Sequence, residues 1–311
     1  MSLPVCLGVD IGGSKIAAAL VDGDGRLLRR TQAPTPAREG ARQILRATID
    51  CAQSLLDRAE VAAIGIGAAG VIKDGRVSAA TDLLPGWTGV RLIDELTRGL
   101  RLDPRIPVRA INDVHAHGLG EAWVGAGAGA GSDSILLAAV GTGLGGCLVR
   151  DGQVVTGAHG AAGHIGHVPS VDAGDAPCSC GARGHLEAIA SGYGLVRLYH
   201  DLGGDQSATD ARAVVRAAAD DDLARQAVHR SAMALGRGLG GMINIVDPST
   251  VIISGGLSAA GRLWWQTVRG GVAESALPLL RDVEVLPAAL GDDAGVIGAA
   301  RLGHAVVDSR A

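Results

Sequence analysis

The feature that most restricts this chain is a plan of elements that occurs twice. An apolar run over residues 5–9 enters a glycine-rich turn, Asp10-Ile11-Gly12-Gly13-Ser14-Lys15, and a second apolar run follows over 16–21. Asp22-Gly23-Asp24-Gly25 then turns the chain into a third run from Arg26. Asp-Gly between two apolar runs signals a hairpin, because the turn needs residues that accept positive φ. The order repeats after Ser134. A run over 135–140 enters Gly141-Thr142-Gly143-Leu144-Gly145-Gly146, a second run covers 147–149, Asp151-Gly152 turns, and a third covers 153–155. One glycine loop is a frequent accident. Strand, loop, strand, turn and strand in matched order in both halves is not, and it implies two domains of one architecture, each presenting a glycine loop to a shared cleft.

Elsewhere strand and helix patterns alternate. Helical spacing is expected over 43–58, 92–100, 113–123, 222–245, around Trp264 and Trp265, and from about Asp293 past Leu302. Short buried strands are expected over 61–66, 108–111 and 251–253. Such alternation argues for an α/β protein. Residues 1–112, rejoined by a C-terminal helix at about 294–311, form the expected first domain, and 113–293 the second. The Ala/Gly-rich stretch 125–132 reads as a flexible connection between them.

Composition narrows the function. The chain has 311 residues and a net charge of −4, with no basic run, so neither nucleic acid nor an anionic membrane surface is expected as a partner. No apolar run reaches the length of a membrane span, and no charged leader precedes residue 10, so a cytoplasmic protein is expected. An anionic ligand must then be held by local devices. Phe is absent and Gly numbers 48, so the core must be made of small aliphatic side chains with close backbone approach.

Three segments carry candidate chemistry. In the first loop, Gly12 and Gly13 bare the backbone for phosphate oxygens, Lys15 adds a point charge, and Asp10 is placed to hold Mg²⁺. The spacing is not that of a Walker loop. Gly141, Thr142 and Gly143 repeat the device, and Gly255-Gly256, after a strand, would let backbone lie against a base or ribose. Both loops lead into strands, which counts against a dinucleotide-binding oxidoreductase. Ile111-Asn112-Asp113 stands where a strand gives way to a helix. There Asp113 could accept a proton from an attacking hydroxyl, and Asn112 could donate to and accept from a sugar. A plain helix cap is the alternative.

The third segment gathers His164, His167, Cys178, Cys180, His185 and Glu187. His167, Cys178, Cys180 and His185 supply four ligands for tetrahedral Zn²⁺, a structural site that would fix the loop carrying His164 and Glu187. The odd cysteine count argues for a reducing compartment and not for a disulfide framework.

Together these motifs resemble the ROK family of sugar kinases, within the actin-like ATPase superfamily. The resemblance rests on residues 10–15, 111–113 and 141–146, Gly163-His-Ile-Gly-His167, Cys178-Ser-Cys-Gly-Ala-Arg-Gly-His-Leu-Glu187, and residues 293–300. It implies an α/β fold of two duplicated actin-like ATPase (ribonuclease H-like) domains around a central cleft. It also implies ATP with Mg²⁺, Asp113 as base, and sugar contacts from Asn112, His167 and Glu187. The family's hexokinases usually carry Glu where this chain has His164, and His there resembles the N-acylmannosamine kinases. That makes the 6-hydroxyl of N-acetylmannosamine the expected acceptor, with glucose or N-acetylglucosamine as alternatives and a non-enzymatic sugar-binding regulator as a third reading. His185 stands where the family usually has a third Cys. The resemblance further suggests a homodimer or higher oligomer, and no N-terminal helix-turn-helix segment is expected.

Overall fold

A computed structural model describes residues 4–57, 59–81, 83–128 and 134–309. In chain order it forms β1 (Cys6–Ile11), β2 (Lys15–Val21), β3 (Leu27–Pro34), α1 (Ala41–Leu56), β4 (Ala63–Ala68), β5 (Val71–Lys73), β6 (Arg76–Ala79), α2 (Leu92–Gly99), β7 (Val108–Asn112) and α3 (Asp113–Val124). The second half forms β8 (Ser134–Val140), β9 (Leu144–Arg150), β10 (Gln153–Val154), α4 (Glu187–Ala190), α5 (Gly192–Asp201), α6 (Ala211–Ala217) and α7 (Asp222–Val246). It ends with β11 (Thr250–Ser254), α8 (Arg262–Ser275), β12 (Glu284–Pro287) and α9 (Ala294–Asp308).

The duplication read from the sequence is present in the strand order. One sheet runs β3-β2-β1-β4-β7 and the other β10-β9-β8-β11-β12. In the first, β1 pairs antiparallel with β2, with Ile11 opposite Ile16, and parallel with β4, which pairs parallel with β7. In the second, β8 pairs parallel with β11, and β11 with β12. The hairpin of β5 and β6 has no counterpart among the described residues.

Strand alternation sorts each sheet's side chains by face. Leu7, Val9 and Ile11 join Ile44 and Leu55 of α1 in one cluster, while Cys6, Ala17, Ala19 and Ala63 join Val296 and Ala300 of α9 in another. On this second face the small residues bring backbone against backbone. A Cβ on Gly8 would fall 1.9 Å from the Val296 carbonyl oxygen, and one on Gly65 1.7 Å from that of Ala299. In the second unit the core is aliphatic, with Trp264 buried in it, and α7 packs closely along α8.

The chain divides into two compact units, Met1–Gly131 with Val149–Ala162 and Ala289–Ala311, and Ser132–Leu148 with Gly163–Ala288. This differs from the expected boundary at 112/113, because α3 packs on α9: a Cβ on Gly298 would lie 1.7 Å from the Ala116 carbonyl oxygen. Residues 149–162 also join the first unit. Lys73 Nζ donates to the Ala158 carbonyl (3.1 Å), and His115 Nε2 is 2.9 Å from that of Ala162. Of the expected connection 125–132, residues 129–132 lie outside the described residues. Among the described residues no helix is long and apolar enough to cross a membrane.

Glu121 of α3 fixes the return of the chain at residue 289. Fully buried, it accepts from the N–H groups of Ala126 (2.8 Å), Ala289 (3.0 Å) and Leu290 (2.8 Å). Glu121→Ala leaves three buried donors unpaired and should cost about 3 kcal/mol or more, read as a lower midpoint in denaturant unfolding. Glu121→Gln, which retains one acceptor oxygen, should lose less.

Candidate active site

In the first unit Asp10 lies on the α9 face of β1, at the C-terminal end of the strand. A Cβ on Gly295, in the first turn of α9, would come within 2.5 Å of its Oδ2. Burial, and then the charge of Asp113, push its carboxyl up to about 7 against the opposing pull of Lys15 and Arg30. Lys15 Nζ is paired with Asp292 at 2.8 Å, and Arg30 with Asp293 at 2.7 Å. The turn between β1 and β2 is tied by Gly12 N–H to the Lys15 carbonyl (2.9 Å) and by the Thr35 hydroxyl to that of Gly12 (2.7 Å). Gly13 at its exposed tip has ordinary φ, and a Cβ there would meet nothing within 4 Å.

Asn112, and not Asp113, caps α3. Its Oδ1 accepts from Val114 N–H (2.9 Å) and His115 N–H (3.1 Å), and its Nδ2 donates to the Gly70 carbonyl (2.9 Å) and to Asp113 Oδ1 (2.8 Å). All four bonding positions of the amide are thus used within this unit. Asp113 Oδ1 also accepts from Val114 N–H at 2.9 Å, and the side chain is half-buried. The base candidate therefore has its Oδ1 tied to the start of α3.

In the second unit, Gly141, Thr142 and Gly256 line one pocket of about 960 Å³ together with Tyr193, Arg212 and Leu257. The loop after β8 is pinned by the start of α5: Gly192 N–H donates to the Gly141 carbonyl (2.8 Å) and Tyr193 N–H to that of Thr142 (3.1 Å). Gly141 and Gly256 have ordinary φ and nothing within 4 Å of an added Cβ, so the fold itself does not require glycine there. Gly255 differs, with φ +88° and a Cβ position 2.5 Å from the Val140 carbonyl oxygen. Gly143 differs too, its Cβ position 2.8 Å from Glu187 Oε2.

Glu187 opens α4 and is buried. Oε2 accepts from Leu144 N–H (2.9 Å), while Oε1 accepts from the Ser179 hydroxyl and from Cys178 Sγ (3.4 Å). Burial raises its pKa, but Ser179, Leu144, Cys178 and His167 together outweigh burial and hold the carboxylate below its usual range. The His164 and His167 rings stack with centroids 6.3 Å apart.

His167, Cys178, Cys180 and His185 bring one ligand atom each within 4.8 Å of the others. Cys178 Sγ is 3.5 Å from His167 Nδ1, and Cys180 Sγ 3.3 Å from His185 Nδ1. Zn–S near 2.3 Å and Zn–N near 2.0 Å at a tetrahedral angle put N and S about 3.6 Å apart, so the donor set fits zinc. The knuckle is built by the Pro169–His185 and Pro177–Arg183 bridges and by Gly181 at φ +88°.

Sequence reading missed the α5–α6 wall of the pocket, whose residues have no loop motif, and the approach of Gly295 to Asp10. It also missed Ser179, whose only signal was its place between two cysteines. Within units, the structure brings Asp10 beside Asp113, Gly141 and Thr142 beside Gly256, and Glu187 beside His167 and Gly143.

Comparison with known proteins agrees with this geometry. Residues 6–306 match the ROK family. The chain is 33% identical over 311 residues to a glucokinase of Thermotoga maritima, covering 95% of this chain and 96% of that one. It is 35% identical over 300 residues to an N-acetylmannosamine kinase of Escherichia coli, covering 95% and 97%. Among solved structures, a ROK family glucokinase from Streptomyces griseus in complex with glucose and AMPPNP superposes with a TM-score of 0.79 at 31% identity, covering 97% and 99%. A match over nearly the whole length, on a duplicated pair of five-stranded sheets, means that the chain belongs to the ROK family.

Proposed function

We propose that this protein is an ATP-dependent sugar kinase that phosphorylates the 6-hydroxyl of N-acetylmannosamine. The observation that carries the reading is the place of Asp113, a half-buried carboxylate where β7 gives way to α3, beside Asp10 and with Oδ1 held by Asn112 and Val114. It accepts the hydroxyl proton as that oxygen attacks the γ-phosphorus. Asn112 holds it in place and, with its own amide committed, acts on the sugar mainly through Asp113. The pocket at Gly141, Thr142 and Gly256 suits the nucleotide, whose phosphates would need the room that missing side chains leave there. Gly12, Gly13 and Lys15 are the first unit's own phosphate-binding device.

Asp10, a hard-oxygen carboxylate beside the charge of Asp113, fits Mg²⁺. When bound, Mg²⁺ supplies charge neutralisation at the phosphate oxygens. Asp10 must give up its proton for that role, which a pKa of about 7 permits near neutrality. Structural Zn²⁺ on His167, Cys178, Cys180 and His185 would use His167 Nδ1, leaving Nε2 of the same ring for the sugar. His164 and Glu187 complete the sugar contacts. The His164-Ile-Gly-His167 motif and the E. coli relative favour the amino sugar. The T. maritima relative favours glucose as the second reading.

A phosphate-transfer assay over N-acetylmannosamine, N-acetylglucosamine and glucose should give the highest kcat/KM for the first, and equal or better values on glucose would overturn the mannosamine assignment. Asp113→Asn should lower kcat by about 10²–10⁴-fold and leave ATP affinity, read by calorimetry, within about twofold. Near-normal turnover in that variant would remove Asp113 as base. Asp10 has its pKa raised on folding, so its stabilising effect is full below about pH 4 and is lost as pH rises toward 7. Asp10→Asn should therefore raise the Tm of the ligand-free protein more at pH 8 than at pH 5, while abolishing turnover. Elemental analysis should find about one zinc per chain, reduced in His185→Ala. A metal-free protein that takes up no zinc would end that assignment.

A further inference from the structure

We propose that Ser179 is a positioning residue for the sugar, acting by fixing the direction in which Glu187 presents its carboxylate. This rests on the reading of Glu187 as a sugar ligand. A carboxylate offers about four lone-pair positions. Three are occupied inside the second unit: Leu144 N–H takes one on Oε2 at 2.9 Å, and the Ser179 hydroxyl and Cys178 Sγ take two on Oε1. The positions left over are for an outside donor, and their direction is set by those that are filled.

Metal chemistry then separates the two donors on Oε1. Cys178 also belongs to the four-ligand cluster, and a metal-bound cysteine is a thiolate with no proton to donate. In the zinc-loaded protein, Ser179 is therefore the side-chain donor that remains on Oε1. It would also screen the carboxylate from the adjacent thiolate, which otherwise repels it. The backbone at 178–181 is held independently of that hydroxyl, by Cys178 N–H to the Ala182 carbonyl (2.9 Å) and Gly181 N–H to that of Cys178 (3.0 Å). Removing the hydroxyl should therefore leave the knuckle in place. On the far side, Gly143 leaves Oε2 its place beside the loop after β8, since a Cβ there would fall 2.8 Å from it. Glu187 without Ser179 is thus tethered at one oxygen and free to turn about it, with solvent replacing the lost donor in no fixed direction.

Ser179 is exposed while Glu187 is buried, so the extra methyl of Thr has room at 179 and the hydroxyl is retained. The test compares the zinc-loaded wild type with Ser179→Ala and Ser179→Thr, each assayed with the sugar on which the wild type is most active. Ser179→Ala should raise the sugar KM about tenfold, the usual scale for a lost hydrogen bond to a charged group. The ATP KM and zinc per chain should be unchanged and kcat within about twofold. Ser179→Thr should stay within about twofold of wild type throughout. An unmoved sugar KM in Ser179→Ala, equal impairment in Ser179→Thr, or loss of zinc alongside the rise in KM would each overturn the proposal. A wild type without turnover on any sugar removes the kinase reading and this role with it. A competent wild type with an indifferent Ser179→Ala removes only this role.

Discussion

Helix α9 lies on the first sheet with main chain against main chain, at Gly8 and Gly65 on the strands, and α3 meets α9 in the same way at Gly298. At Cβ distances of 1.7–1.9 Å no other residue fits, since displacing backbone on both sides would break either the ladder or the helix. The face that carries Gly8 is, by strand alternation, also the face that carries Asp10. The packing that seats α9 therefore decides where Asp10 ends. Gly295, one helical turn before the closest contacts, lets α9 begin directly against the carboxylate. Asp113, at the start of the helix that packs on the other flank of α9, is placed by the same arrangement.

The glycines of the loops then divide by cause. Gly143 and Gly255 are accounted for inside the second unit, one by the Glu187 carboxylate and the other by left-handed φ and the Val140 carbonyl. Gly13, Gly141 and Gly256 have neither constraint. An unconstrained glycine costs conformational entropy on folding without a structural return. In the proposed reading a bound nucleotide uses that space, and two of the three line the 960 Å³ pocket. The presence of glycine in a loop is thus weaker evidence for a ligand than the absence of any internal reason for it.

This also explains what could be read from the sequence. The two sheets were legible because their strands are apolar runs bounded by Asp-Gly turns, and Asp113 because a strand-to-helix switch is visible as a change of period. The zinc-type cluster was legible because four of its kind fall within nineteen positions, residues 167–185. Helix α3 groups with the first unit through Gly120, Gly298 and Glu121, by contacts between residues about 170 positions apart. No local pattern encodes them. The α6 wall of the pocket was invisible for a similar reason: Arg212 and Leu257 converge only through the fold. Ser179 looked like a spacer because its meaning comes from one buried oxygen eight residues on.

Three interior carboxylates show how one chemical group is put to different uses by its donors. Glu121 has three backbone N–H donors and serves the chain's own return. Glu187 has comparable support from Leu144, Ser179 and Cys178, but it retains room for an outside donor and a depressed pKa, so it is ionised and directional before any ligand arrives. Asp10 has the opposite treatment: burial and a like charge beside it, with Lys15 and Arg30 already paired to Asp292 and Asp293. Its ionised form is left short of positive charge, which is the electrostatic condition for recruiting a divalent cation. A carboxylate as well satisfied as Glu121 would have little to gain from a metal. In the proposed reading, the lack of a sufficient internal partner at Asp10 is therefore what suits that position to Mg²⁺, and the close seating of α9 limits the solvent that would otherwise relieve it.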